Sequence, residues 1–172
     1  MSSEQCKHEF YAAFSSGIEM IKNQSRDEFH NRLYYANLIS LMEKYLYDLF
    51  IYEISSNREA IVKLGLQNRF KSESLKIPYL LNHTVEEYLI NVMKHVVWHR
   101  LNDIDVLFKN ALGIKFNIST ELLEVLNKRH HIVHRNGYDL VGRKIVISDE
   151  DLQSCVCLIN AFVSEINRKY IE

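Results

Sequence analysis

The side chains best suited to chemistry lie in one short stretch, residues 122–138, with the sequence LLEVLNKRHHIVHRNGY. A helix turns by about 100° per residue and would place Arg129 in one apolar stripe with Leu122, Leu126 and Val133. A guanidinium stays charged, and burying it without a partner is strongly unfavourable. Arg129 is therefore expected to meet an anion, either a carboxylate of another helix or a phosphate supplied from outside the chain.

Histidines flank this arginine. His130 and His134 are four residues apart and share one flank of the predicted stripe, whereas His131 is expected to point away from it. Imidazole gains or loses its proton near neutral pH, so an exposed histidine here is able to act as a general base or acid.

The same region carries a local excess of positive charge. Residues 127–144 contain one acidic residue, Asp139, and five basic ones: Lys128, Arg129, Arg135, Arg143 and Lys144. Their sum is about +4 on a chain whose formal net charge is −1. The pattern predicts an anion-binding patch, but a structural carboxylate, with Glu43 and Asp48 as candidates, would explain the buried arginine equally well.

Two histidine pairs have the i, i+4 spacing of metal ligands, His95 with His99 and His130 with His134. No cysteine or glutamate is placed to complete either pair, and Arg129 would repel a cation. We therefore predict no metal and no cofactor, and we expect His95 and His99 on a helix surface.

Composition favours helices as the elements that position these side chains. The 172 residues include 5 Gly and 1 Pro, too few for the tight turns of a sandwich, a barrel or a Gly-rich nucleotide-binding fold. The apolar and charged fractions are those of a globular chain, and one domain is predicted over 1–172. The sequence contains no apolar run long enough to cross a bilayer and no C-x-x-C pair of cysteines. We therefore expect a cytoplasmic protein with reduced thiols and no membrane partner.

Periodicity and capping signals predict an all-α bundle of long antiparallel helices. Helices are expected over about 6–23, 25–55, 57–70, 103–112 and 120–134, from 84 onwards, and from 148 onwards. Ser25-x-x-Glu28 and Thr84-x-x-Glu87 have the pattern of capping boxes, and Pro78 is expected in a loop. Asn136-Gly137 ends a helix, and a short irregular or hairpin segment follows near 138–147.

The run Lys128-Arg-His-His-Ile-Val-His134-Arg-Asn-Gly137 closely resembles the R-x4-6-H motif of HEPN domains, in its R-H-x-x-V-H-R-N-G form. The likeness extends to the preceding helix, which ends at His99-Arg-Leu-Asn102 and leads into Leu107-Phe-Lys109-x-x-Leu-Gly-Ile114. It also includes the tail, a basic loop followed by an acidic-capped last helix. The resemblance covers residues 84–172, and the residues before them match only in being helical.

This resemblance implies a HEPN-type helical bundle and a metal-independent endoribonuclease, a homodimer whose two R-x4-H helices face each other across a cleft. His134 would take the proton of the ribose 2′-OH, Arg129 would stabilise charge on the phosphoryl oxygens, and His130 would act as an acid or orient the substrate. The products would carry 2′,3′-cyclic phosphate and 5′-hydroxyl ends. The RNA would be held by a further set of residues: Lys128, Arg135, Asn136, Arg143 and Lys144.

The resemblance also implies a toxin or antiphage defence effector with an antitoxin or defence-system partner protein. HEPN toxins paired with a nucleotidyltransferase antitoxin carry R-x4-6-H-x-Tyr, whereas Asn136 stands at that tyrosine's position here and the nearest tyrosine is Tyr138. This departure puts regulation by such a partner in doubt. The alternative is a non-catalytic HEPN scaffold that binds a partner protein or a nucleotide; the presence of both Arg129 and His134 favours the nuclease.

Overall fold

The computed structural model describes residues 3–172, with side chains from residue 8 onwards. Within that range all regular secondary structure is helical, which confirms the predicted all-α class. The α-helices are α1 (Ser3–Lys22), α2 (Glu28–Ser56), α3 (Arg58–Gly65), α4 (Ile77–Leu80), α5 (Val85–Lys94), α6 (Leu101–Leu112), α7 (Thr120–His134) and α8 (Asp149–Ile171). A single 3-10 turn covers Asn68–Phe70.

The chain divides into two compact units. Unit 1 comprises the residues up to Tyr45 together with Asn117–Glu172, and unit 2 is the continuous segment Leu46–Phe116. Helix α2 contributes residues to both units. The single domain expected over 1–172 stays a prediction, because a division into compact units is not a test of independent folding.

In unit 1, polar contacts give the directions of α2 and α8. The Nδ2 of Asn31 donates to Oδ1 of Asp149 at 2.7 Å, and the hydroxyl of Tyr45 donates to Oδ1 of Asn167 at 3.2 Å. The contacts therefore advance along both helices in the same sense, so α2 and α8 run parallel. Helix α1 runs antiparallel to α2, to which a short turn connects it. The centroid of the Tyr11 ring in α1 lies 6.3 Å from that of the Tyr45 ring in α2.

Helix α7 runs antiparallel to α8. Lys128, near the end of α7, pairs with Asp151 in the first turn of α8, whereas Asn117, just before α7, donates to Glu165 near the end of α8. Long antiparallel helices are therefore present, as predicted. The buried face of α8 consists of Leu152, Cys155, Val156, Ile159, Phe162, Val163 and Ile166.

Unit 2 is built around aromatic rings. Phe50 in α2 lies 5.1 Å from Phe108 in α6 and 5.7 Å from Trp98, measured between ring centroids. Phe108 also contacts Phe116, at 4.9 Å. Offset and tilted rings at such distances pack favourably in a core. Helices as short as α3, α5 and α6 are only marginally stable in isolation, so the packing of side chains in this core stabilises them.

Several predicted helix boundaries are wrong. The helix expected over 57–70 ends at Gly65, and the helix expected to end at His99-Arg-Leu-Asn102 ends at Lys94. His95 and His99 therefore lie after α5 rather than on the surface of a helix.

The start of α2 and the place of Pro78 also differ from the prediction. Ser25 does not cap α2, because Asp27 occupies the N-cap position and its carboxylate accepts the amide of His30 at 2.9 Å. Pro78 lies in the first turn of α4 rather than in a loop. The amides of a first turn have no partner within the helix, so the missing N–H of proline costs no hydrogen bond there. The capping box of Thr84 with Glu87 is confirmed in full.

The end of α7 is a tight turn made by two residues in left-handed backbone conformation. Asn136 has φ of 49° and Gly137 has φ of 84°. The amides of Arg135 and Gly137 both donate to the carbonyl of His131, which ends the helix. The following segment closes as a small hairpin-like loop through an isolated bridge between Tyr138 and Lys144, in agreement with the expected hairpin near 138–147.

No helix of the described chain is long and apolar enough to span a membrane. Cys155 is buried and Cys157 is exposed, and both are free thiols; Cys6 lies outside the described side chains.

We predict that Gly137→Ala lowers the free energy of unfolding by roughly 1–2 kcal/mol, because an alanine at positive φ is strained. A Cβ at this position would also lie 2.7 Å from Nη1 of Arg32, the mobile end of a long side chain. Urea unfolding of the wild type, Gly137→Ala, Arg32→Ala and the double variant measures the loss. The loss should persist in the Arg32→Ala background, because the backbone is its cause; a loss that disappears there would assign it to the guanidinium.

Candidate functional site

Arg129 points into unit 1 and pairs with Glu43 of α2. Nη2 of Arg129 lies 3.7 Å from Oε2 of Glu43, and the two side chains are 13% and 20% exposed. The Nε of Arg129 is buried and donates no hydrogen bond to any described residue. The structure therefore provides the carboxylate that the buried guanidinium requires, while leaving one of its donors unused.

His130 and His134 lie side by side on the exposed surface at the end of α7. Their ring centroids are 4.7 Å apart, as their i, i+4 spacing predicts. The exposed ring of His134 is therefore accessible to a ligand, and His130 is its immediate neighbour.

The predicted stripe is correct for Leu122 and Leu126, which are buried, but Val133 is 48% exposed. The expectation for Val133 is wrong because the helix ends one residue later and the chain turns away at Gly137. His131, placed away from the stripe, is nevertheless buried beneath that turn. Its Nδ1 lies 2.7 Å from Nη1 of Arg135, which draws Arg135 back along the helix.

The positive charge expected near the end of α7 is largely compensated by acidic side chains from elsewhere in unit 1. Lys128 pairs with Asp151 at 3.0 Å, and Lys144 pairs with Glu28 at 2.5 Å. The hydrogen bond from Lys144 holds the pKa of the Glu28 carboxyl below its usual range. The predicted excess of about +4 is therefore wrong as a description of the surface, because a count along 127–144 omits acids that are distant in sequence.

Asp139 organises the loop after α7. Its carboxylate accepts the amides of Val141 and Arg143, and also Nε of Arg143 at 3.0 Å. The hydrogen bond from the Arg143 amide lowers the pKa of the Asp139 carboxyl, so it stays ionised at neutral pH. The Arg143 side chain is nevertheless 80% exposed and is more accessible than Lys128 and Lys144.

Two residues of α2 belong to this region and were not predicted. The guanidinium of Arg32 lies against Gly137, and its Nε is buried without a partner among the described residues. Asn31 is buried, donates to the carbonyl of Ile147 at 3.2 Å, and leaves its own Oδ1 without a donor. A signal for Asn31 exists in the sequence, since it precedes Tyr35 and Leu38 at helical spacing in the apolar stripe of α2.

The structure thus places the three predicted catalytic residues and the predicted RNA-binding residues at one end of α7. Their functional groups do not point to a common centre. Arg129 faces Glu43, whereas His130 and His134 face outwards. Among the residues with described side chains, no group of three or more His, Cys, Asp or Glu is placed to hold a metal ion.

Comparison of this chain with protein families, with curated proteins and with solved structures finds no match.

We predict that Asp151→Asn lowers the free energy of unfolding by about 1 kcal/mol at pH 7, because it weakens the α8 capping box and the pair with Lys128. Burial raises the pKa of Asp151, but hydrogen bonds from the Ser148 amide and Lys128 lower it by more. A lowered pKa gives stability that is complete above the unfolded-state value of about 3.9 and is lost as pH falls through the folded value. Urea unfolding at stepwise lower pH should therefore show the difference from wild type closing below about pH 4.

Glu150→Gln is the matched control, since it removes an acidic charge from the same first turn without touching a lysine. It should lose less stability than Asp151→Asn. An equal loss would contradict the role given to Lys128.

Proposed function

We propose that this chain is a metal-independent endoribonuclease of the HEPN type, with its active site at the end of α7. The observation that carries the proposal is the exposed pair of His134 and His130, which lie five residues and one residue after Arg129. The Nε of Arg129 has no hydrogen-bond partner among the described residues. The R-H-x-x-V-H-R-N-G run supports the same assignment by resemblance.

In the proposed reaction, His134 takes the proton of a ribose 2′-OH, and the 2′ oxygen attacks the adjacent phosphorus. The bond to the 5′ oxygen breaks, and His130 gives that oxygen a proton. Arg129 stabilises the negative charge that develops on the phosphoryl oxygens. The products carry a 2′,3′-cyclic phosphate and a 5′-hydroxyl, and no metal takes part.

A homodimer is part of the proposal. Arg129 and His134 are five residues apart, which separates them by about 140° around a helix, and Arg129 is directed towards Glu43. A second copy facing the end of α7 would bring its own Arg129 to His134 if that guanidinium exchanges Glu43 for a phosphate of the RNA. The RNA phosphates would then meet the more exposed cations around the site: Lys128, Arg135, Arg143 and Lys144, with Asn136 beside them.

A role in toxin–antitoxin regulation or antiphage defence, with a partner protein that controls the activity, is proposed on the same resemblance. Tyr138 is exposed in the loop after α7, four residues beyond His134.

A second candidate function has an observation of its own. The Arg129–Glu43 pair, together with the acids beside Lys128 and Lys144, is the arrangement of a structural network rather than of an anion site. It favours a non-catalytic HEPN scaffold that binds a partner protein or a nucleotide.

We predict that the wild type cleaves a labelled RNA in excess EDTA and that His134→Ala reduces the rate by at least about 100-fold, the usual loss for a removed general base. His83→Ala, which changes an exposed histidine of unit 2, should cleave like the wild type. Gel analysis with end-group assays should detect cyclic phosphate. Inactivity of a folded wild type would support the scaffold.

The dimer is tested in the same assay by mixing His134→Ala with Arg129→Ala. Mixed dimers unite the intact arginine of one copy with the intact histidine of the other, so the mixture should regain activity that neither variant has. Full activity of a strictly monomeric wild type would contradict the shared cleft.

The Arg129–Glu43 pair yields a separate prediction. Glu43→Gln should lower the free energy of unfolding by about 3 kcal/mol, since it leaves a largely buried charge without its carboxylate. Arg129→Gln/Glu43→Gln should recover part of this stability in urea unfolding, because the unpaired charge is gone. Below the unfolding transition, Glu43→Gln should still cleave RNA while the double variant should not. Cleavage by the folded double variant would assign Arg129 a structural role only.

A further inference from the structure

Unit 2 contains an open cleft that none of the predicted site residues line. It has a volume of about 1040 Å³ and lies between the end of α3 with the 3-10 turn on one side and the end of α5 with α6 on the other. Pockets for small molecules usually have volumes of about 300–1,000 Å³. The cleft is therefore large enough for a polypeptide segment.

The walls of the cleft carry an excess of positive charge. Lys63, Arg69 and Arg100 line it, against one carboxylate, Asp103. Lys63 is paired with Glu59 at 2.6 Å, but no carboxylate of the described residues pairs with either arginine. This differs from the end of α7, where acidic side chains compensate the cations. Two guanidinium groups are thus available to an acidic ligand.

Between these charges the cleft is lined by exposed aliphatic side chains. Leu66 is 72% exposed, and Val97 and Val106 are each more than two-fifths exposed. Single exposed apolar residues are ordinary, whereas these three share one cleft and would give an incoming segment a common apolar surface. No Phe, Tyr or Trp lines the cleft and His95 is the one ring at its wall, whereas grooves for single-stranded nucleic acid stack successive bases on several aromatic rings. The lining therefore favours a protein ligand.

A buried amide completes the cleft. Gln67 lines it and is only 7% exposed, and its Nε2 has no hydrogen-bond partner among the described residues. An unpaired buried donor is unfavourable. A carboxylate or carbonyl oxygen of an incoming segment would satisfy it.

We propose that this cleft binds an amphipathic acidic helix of a partner protein. Its apolar face, with residues at i, i+3, i+4 and i+7, would cover Leu66, Val97 and Val106. Its Asp or Glu side chains would pair with Arg69 and Arg100. The proposal does not depend on the nuclease assignment, because no residue of α7 takes part.

The test begins with a displayed library of random-sequence helical peptides selected against the full chain. We expect enrichment of peptides that combine an apolar stripe with acidic residues. The most enriched peptide is then synthesised with a fluorescent label, and its affinity is measured by anisotropy for folded variants. Arg100→Glu should weaken binding at least about tenfold, as loss of a charged interface contact typically does, and raised salt should also weaken it.

Matched controls are available on α5 and α6, outside the cleft. Lys109→Glu makes the same charge change in α6 outside the cleft, and Val85→Ser is the control in α5 for Val106→Ser. Both controls should bind like the wild type, and Val106→Ser should bind more weakly. No enrichment, enrichment of basic peptides, or unchanged affinity in Arg100→Glu would overturn the proposal. A labelled single-stranded RNA that binds the wild type and Lys109→Glu but not Arg100→Glu would instead assign the cleft to nucleic acid.

Discussion

The need to neutralise one guanidinium inside unit 1 governs the arrangement at the end of α7. Arg129 occupies a position where an apolar residue would ordinarily pack, and Glu43 of α2 lies opposite it. The pair joins α7 to α2, while Leu122, Val125 and Leu126 bury the inner face of α7. Since these side chains face inwards, His130 and His134 face outwards. The proposed chemistry and the packing of the helix therefore depend on the same orientation of α7.

The same principle extends along the α2 side of the site. Glu28 meets Lys144, and Asn31 holds the carbonyl of Ile147 at the start of the last helix. Arg32 lies against the glycine that turns the chain after α7. Polar groups of α2 thus secure the loop that follows the histidines. Since these contacts also reduce the local charge, the proposed nuclease would depend on positioned side chains more than on a strong positive field.

Local signals in the sequence predicted the parts of this structure that depend on nearby residues. The all-α class, the bounds of α7, the turn at Asn136-Gly137 and the capping box at Thr84 all follow from spacing and turn chemistry. The predictions are wrong where residues distant in the sequence determine a helix cap or compensate a charge. Asp27 displaces Ser25 as a cap, and the acids beside the basic cluster come from α2 and α8. The cleft of unit 2 was not predicted, because its walls come from four separate elements.

The discontinuity of unit 1 has a consequence for the order in which the chain acquires its structure during synthesis. Leu46–Phe116 is continuous and leaves the ribosome before the segment that completes unit 1. The contact between Tyr11 and Ser164 spans 153 residues, so the N-terminal helices wait for the last helix before they can be covered. Closing so long a loop is entropically unfavourable and slows folding. The end of α7, with its histidines, is therefore among the last regions of the chain to be formed.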